Sequence, residues 1–192
     1  MEKLLEYINA IYPISTELRE HLYSVIKSKT IYKKEYLLRA GKISHNLCYI
    51  TKGLMRAFYL KDNIEISAWF MTEGDFIVSI ESFYEQKESY EYIQAIEDTE
   101  VYYIEYHELE YIYHHFMEFN FIGRELTIKY LTNWTKQLYS IRNHTAEERY
   151  LWLMQHRPEV ILRVPAKYIA SYLDINEVTL SRIKNNIAKK RA

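Results

Sequence analysis

The stretch Val164–Ala192, VPAKYIASYLDINEVTLSRIKNNIAKKRA, decides how the chain is read. Pro165 suits the first turn of a helix, where a missing N–H is not needed. Ile169, Ala170, Tyr172 and Leu173 then recur at helical spacing. The pattern breaks at Asp174-Ile175-Asn176. Asn176 is a good N-cap, and a second helix follows with Val178, Leu180, Ile183 and Ile187 as its expected buried stripe. Two short helices joined by a tight turn make a helix-turn-helix. Ala170 is small enough for the helices to cross closely, and Ile175 is expected to plug the corner between them. Thr179, Ser181, Arg182 and Lys184 stand on the outer faces of the second helix, which runs into Lys189-Lys190-Arg191. Those side chains suit a reader of the DNA major groove. A helical hairpin that packs against protein remains the alternative.

Charge separates this end from the rest. The whole chain of 192 residues carries a formal charge of −1. From residue 161 onward there are seven Lys/Arg and two acids, whereas the other 160 residues hold 18 Lys/Arg and 24 acids. A basic end on an acidic body predicts a polyanionic partner for that end alone. Hydrophobic residues make up 48% of the chain, enough for a sizeable core. Cys48 is the only cysteine. It sits in the apolar run LCYI and reads as a buried, inert thiol; one cysteine gives no disulfide framework. No basic-then-apolar leader and no run of membrane length is present, which predicts a cytoplasmic protein without membrane contact. The 20 tyrosines are accounted for only by packing and strand propensity.

Working outward towards the N-terminus, TAEE at Thr145–Glu148 is a capping box opening a helix through about His156, which Arg157-Pro158 ends. Before it, residues 120–143 predict one long helix with two apolar stripes. Phe121, Ile128, Leu131 and Leu138 form one; Leu126, Tyr130, Trp134 and Ile141 form the other. A helix apolar on two faces has two partners, here its own domain and the same helix of a second subunit. Residues 107–119 predict a short helix. From about Thr30 to Tyr106, short β-rich runs alternate with turn residues: YLLRA, LCYIT, LMRAFYL, EISAWFM, FIVSI, YIQAIED and VYYIEY. That spacing predicts an antiparallel sandwich or barrel. Residues 2–27 predict helix with a break at Pro13–Ser15.

This order of elements resembles the catabolite-activator (Crp/Fnr) family of transcription regulators. The resemblance is carried by GLMRAFYL after Ile50-Thr51-Lys52, by the Glu73-Gly74-Asp75 turn and by IASYLDINEVTLSRI. It implies an α+β fold with three parts. Residues 1–119 would form a β-roll (jelly-roll) sensor domain like a cyclic-nucleotide-binding domain, with flanking helices. Residues 120–143 would form a dimerisation helix, and residues 144–192 a winged helix-turn-helix domain, with Leu162–Pro165 as a wing strand. It also implies a homodimer on double-stranded DNA, with RNA polymerase as an expected partner. The matching DNA-binding positions are Lys167, Asn176, Glu177, Thr179, Ser181, Arg182 and Lys184. Arg182 takes the place of the family's guanine-reading arginine, and Asn176 and Thr179 lie near the phosphates. Glu177 and Val178 depart from the best-known member's readers, so the preferred DNA sequence should differ. Asp174 replaces the usual turn glycine and is expected in a left-handed conformation.

The effector pocket implied by the resemblance is formed around Gly74, Ile80, Glu81, Ser89 and Tyr90. Between Gly74 and Ala95 the sole basic residue is Lys87, against acids 75, 81, 85, 88 and 91. A cyclic nucleotide's buried phosphate needs an arginine fork, so cyclic AMP is not the expected effector; a distant Arg56 or Arg124 would have to reach in. An unidentified small-molecule effector is expected instead. The rival functions are a cupin-like metal enzyme and a β-roll module whose helical end binds protein. The seven histidines lie mostly in helices and loops, and no catalytic triad or phosphate-cradling loop stands out. The expectation is therefore no catalysis, no metal and no cofactor.

Overall fold

A computed structural model of the chain describes residues 1–191, and of Arg191 the backbone alone. Ala192 and the Arg191 side chain, at the end of the basic run, lie outside the described residues. Two helices open the chain, α1 (Glu2–Ile11) and α2 (Thr16–Val25). They are separated where Ser15 caps α2 by accepting the Leu18 N–H.

Eight strands follow: β1 (Lys27–Ile31), β2 (Tyr36–Leu38), β3 (Asn46–Lys52), β4 (Met55–Lys61), β5 (Ile64–Met71), β6 (Phe76–Ile77), β7 (Glu91–Ala95) and β8 (Thr99–Glu105). They form two four-stranded antiparallel sheets, ordered β1-β8-β3-β6 and β2-β7-β4-β5. The inner faces of the sheets meet over Cys48, Ile50, Met55, Ile93 and Val101. Burial pushes the Cys48 thiol up to about 12, so it is inert. Gly53 makes the tight turn between β3 and β4 with φ +102, against the backbone of Asp98 and Thr99. Two strand readings are corrected. β1 lies partly where helix was expected, because its polar edge sequence KSKTI carries little apolar signal. FIVSI is a strand for two residues only, and at Ile80 the chain turns into the short helix α3 (Ile80–Glu85).

After β8 come α4 (Tyr106–His115) and the 27-residue α5 (Met117–Asn143), which starts three residues earlier than expected. The helices α1, α2, α4 and the start of α5 cover the outer face of the first sheet. Leu5, Leu18, Leu109 and Ile122 form their shared core.

The C-terminal unit comprises α6 (Ala146–His156), α7 (Pro158–Arg163), α8 (Ala166–Tyr172) and α9 (Glu177–Arg191). Thr145 and Glu148 form the expected capping box. The wing expected at 162–165 is absent. Pro158 starts a helix at its first position instead, and no strand forms among described residues 144–191. The unit does not have a separate core: Leu54, Phe70 and Ile96 from the roll join Tyr150, Ile169, Leu180 and Ile183.

Candidate nucleic-acid interface and ligand cavity

α8 ends in a left-handed residue, Asp174, with φ +53. The Ile175 N–H reaches back to the Ala170 carbonyl at 3.0 Å, closing a Schellman-type turn in which Asp174 stands where glycine is usual. Ile175 is half-buried in the corner, and Ala170 is buried. Asn176 then caps α9, its Oδ1 accepting the Thr179 N–H at 2.8 Å. Its side-chain oxygen is therefore engaged, and the amide nitrogen is what it can offer to a phosphate.

The buried stripe of α9 is Leu180, Ile183 and Ile187. Val178 does not belong to it: its side chain is 61% exposed. One residue after the helix start, it points away from Leu180, because 3.6 residues complete a turn. The face opposite the stripe carries Val178, Arg182, Asn185 and Lys189, flanked by Ser181, all exposed. Arg182 forms no ion pair with a described residue. Thr179 and Lys184 sit at the margins, half-buried, and Glu177 is exposed in the first turn. Lys167 is exposed on α8, its Nζ 4.6 Å from the Tyr168 ring centre. Val178, expected in the buried stripe, and Asn185, not singled out from the sequence, both stand on this exposed face. Their seven-residue spacing, with Arg182 between them, was the available signal.

Not all of the basic end is free to meet a polyanion. Arg163 holds Glu73 through two hydrogen bonds of 2.9 Å and also pairs with Glu97. Lys190 lies 2.7 Å from Glu147. Arg157, just ahead of the basic stretch, bonds Asp75 and Thr72 at 3.0 and 3.1 Å. These arginines fasten the C-terminal unit to the 72–75 turn of the roll. The Arg163 guanidinium draws the Glu73 carboxyl down to about 2. Arg56 completes the junction. It is fully buried, stacked between the rings of Phe58 and Tyr168 at 3.9 and 3.6 Å, with Glu65 at 2.7 Å. Ser171 adds a hydrogen bond from the Ser67 N–H at 2.9 Å.

The two stripes of α5 part company. Tyr130 accepts the Phe76 N–H at 2.8 Å, and Gln137 donates to the Ala68 carbonyl at 3.2 Å, so one face rests on the roll, although Trp134, expected on that face, is 51% exposed. On the other, Phe121, Ile128, Leu131 and Leu138 are 41%, 48%, 54% and 37% exposed.

Between the roll, α3 and α5 lies a cavity of about 680 Å³. Ile80, Glu81 and Tyr90 line it, together with many aromatic rings, among them Tyr49, Trp69, Tyr113 and Trp134. Its lining residues include the acids Glu81, Glu85 and Glu91 and no lysine or arginine. Two expected residues lie elsewhere. Gly74 forms the turn beside Glu73, its N–H on the Ile50 carbonyl at 2.9 Å. Ser89 is buried behind the wall, 3.0 Å from Ser79 Oγ. Neither arginine with the reach to answer an anion enters: Arg56 faces α8, and Arg124 is exposed beside Glu125. Among the described residues no group of three potential metal ligands forms, and no helix is long and apolar enough to cross a membrane.

Residues 28–116 match the family model described as a cyclic nucleotide-binding domain. No curated protein sequence matches the chain. Among solved structures, FixK2 from Bradyrhizobium japonicum is 19% identical, with a TM-score of 0.73 over 86% of each chain. A transcriptional regulator of the crp/fnr family from Eubacterium rectale is 14% identical, with a TM-score of 0.73 over 94% of this chain and 88% of that one. A CooA mutant from Carboxydothermus hydrogenoformans is 17% identical, with a TM-score of 0.70 over 91% of this chain and 80% of that one. At these identities the likeness speaks for the fold.

Proposed function

We propose that the chain is a homodimeric, sequence-specific DNA-binding transcription regulator of the Crp/Fnr kind, working in the cytoplasm rather than as an enzyme. The observation that carries this reading is the outer face of α9. Val178, Ser181, Arg182, Asn185 and Lys189 stand exposed opposite the buried stripe. An arginine in that position offers guanine O6 and N7 a two-pronged donor, and Val178 offers a thymine methyl an apolar contact. Lys167, Asn176, Glu177, Thr179 and Lys184 surround it, with lysines suited to phosphate. The exposed stripe of α5 supports the homodimer, which would set two α9 helices on a two-fold site. RNA polymerase is the partner such a regulator would meet.

The roll then serves as the sensor, with residues 1–119, 120–143 and 144–192 as sensor, dimer helix and reader. An effector is expected in the cavity by Ile80, Glu81 and Tyr90. Cyclic AMP fits it poorly, because the lining acids repel a phosphate and no arginine compensates.

Selection of bound duplexes from a random pool tests the reading, followed by a salt series on the winner. Affinity should fall steeply with salt. Arg182→Ala should lose about 10- to 100-fold on the selected site and relax preference at one base pair. Equal losses on selected and random DNA would reduce Arg182 to a phosphate contact. Failure to enrich any duplex would favour the alternative, in which the helical end binds protein.

A further inference from the structure

We propose that the cavity between the roll, α3 and α5 takes an organic cation with an apolar or aromatic body. This rests on reading the roll as the sensor.

Three observations converge. The first is the wall. Tyr49, Trp69, Tyr102, Tyr113, Tyr130 and Trp134 all line the space. Aromatic faces attract a positive charge most strongly when water is excluded, and they cover an apolar body equally well. The second is the pair of carboxylates at the α3 side. Glu91 is half-buried and accepts a hydrogen bond from Ser79 Oγ at 2.8 Å, but pairs with no basic residue among those described. Glu81, which is exposed, also lines the cavity; it forms no direct ion pair among the described residues, though Lys87 lies near enough to feel its charge. Burial, together with the charge of Glu81, makes Glu91 harder to ionise than an ordinary glutamate. A half-buried carboxylate that feels a second one and has no ion-pair partner of its own is unfavourable, and a bound cation relieves it. The third is the neighbouring control. Glu85, the third acid of the lining, already has a partner, with Lys87 Nζ at 2.7 Å. Lys87 also acts on Glu81, so the deficit of positive charge lies at Glu91.

Size agrees with this assignment. About 680 Å³ is in the range that holds a drug-sized molecule. The same features reject the alternatives in order. An anion meets the uncompensated Glu91. A neutral analogue gains the apolar wall but leaves the carboxylates unpaired.

The test uses the full chain and three probes that share one skeleton: 4-phenylbutylamine, 4-phenylbutan-1-ol and 4-phenylbutanoate, with cyclic AMP as a fourth. Binding is read by calorimetry and by the fluorescence of Trp69 and Trp134. The amine should bind at least about 10-fold tighter than the alcohol, and the two anions should give no signal at millimolar concentration. Glu91→Gln keeps the shape and the Ser79 hydrogen bond. It should bring the amine down to the alcohol's affinity while leaving the alcohol unchanged. If Glu91→Gln does not fold, Glu81→Gln on the surface should lower the amine-to-alcohol ratio alone. An alcohol that binds as tightly as the amine, tighter binding of either anion, or no binding by any probe overturns the assignment. The sensor reading is scored separately, by DNA binding of the same samples. DNA binding without amine preference sinks the ligand class alone; amine preference without DNA binding sinks the regulator alone.

Discussion

Replacing Glu73 with glutamine should weaken the junction between the roll and the C-terminal unit, and the loss should fade in acid. Glu73 accepts two hydrogen bonds of 2.9 Å from Arg163 and one of 2.8 Å from the Gly53 N–H. Its carboxyl is drawn from an ordinary 4.5 to about 2, first by the Arg163 hydrogen bonds. At full strength that displacement corresponds to about 3 kcal/mol. The side chain is 42% exposed, however, and solvent screening reduces the contribution to about 1 kcal/mol. A depressed carboxyl stabilises the fold above its unfolded value and loses that stabilisation as pH falls towards its folded one. The contribution is therefore complete at pH 7, begins to fall near 4.5 and is gone below about 2. Urea unfolding followed by tryptophan fluorescence, at pH 7 and pH 3, measures it as wild type minus Glu73→Gln. About 1 kcal/mol is expected at pH 7 and under half of that at pH 3. In the Arg163→Met background the Glu73→Gln effect should shrink at both. An equal difference at the two pH values, or none at pH 7, would refute the argument that the ion pair fastens the two units.

Leu131→Glu with Leu138→Glu should give monomers in sedimentation, raising the dimer dissociation constant at least about 100-fold, since each buried leucine contributes on the order of 1–2 kcal/mol. A wild type already monomeric at micromolar concentration would remove the dimer. Asp174→Gly should raise the unfolding free energy by about 0.5–1 kcal/mol, because glycine holds φ near +53 without strain. Gly53→Ala should cost about 2 kcal/mol or more in thermal unfolding. Its Cβ would lie 2.6 Å from the Thr99 Cα and 2.7 Å from the Asp98 oxygen, on a backbone at φ +102. A neutral result there would mean that the turn relaxes freely.

Much of the chain was legible residue by residue, because its signals are local. Thr145 and Glu148 announce a capping box that needs no neighbour beyond one turn. Asn176 caps α9 and Asp174 turns left-handed for reasons contained within five residues. LCYIT and EISAWFM read as strands because they are continuous apolar, β-prone runs, and each packs both faces on a core: Cys48 and Ile50 on one and Leu47 and Tyr49 on another in β3, Trp69 and Phe70 likewise in β5. Where the signal came from elsewhere, the reading failed. KSKTI is a strand only because β8 supplies its hydrogen bonds. Val178 is as apolar as Leu180, and which of them is buried depends on where the rest of the C-terminal unit lies. The wing gave way to α7, whose Val160 packs into a core shared with the roll.

The sequence by itself therefore determined most of the order of elements, the two-faced α5 and the basic, capped helix proposed to read DNA. Tertiary structure alone decided how the charges are spent. Arg163 and Lys190 counted as free cations in the sequence, yet both are paired inside the molecule. Arg56 could have answered a phosphate and is instead buried against Tyr168. Glu81 and Glu91, ten residues apart, come to face one space because α3 and β7 border the same cavity. Charge partnership depends on distance in space, falling with separation and with solvent screening. Order along the chain leaves that distance open until the sheets and helices have packed.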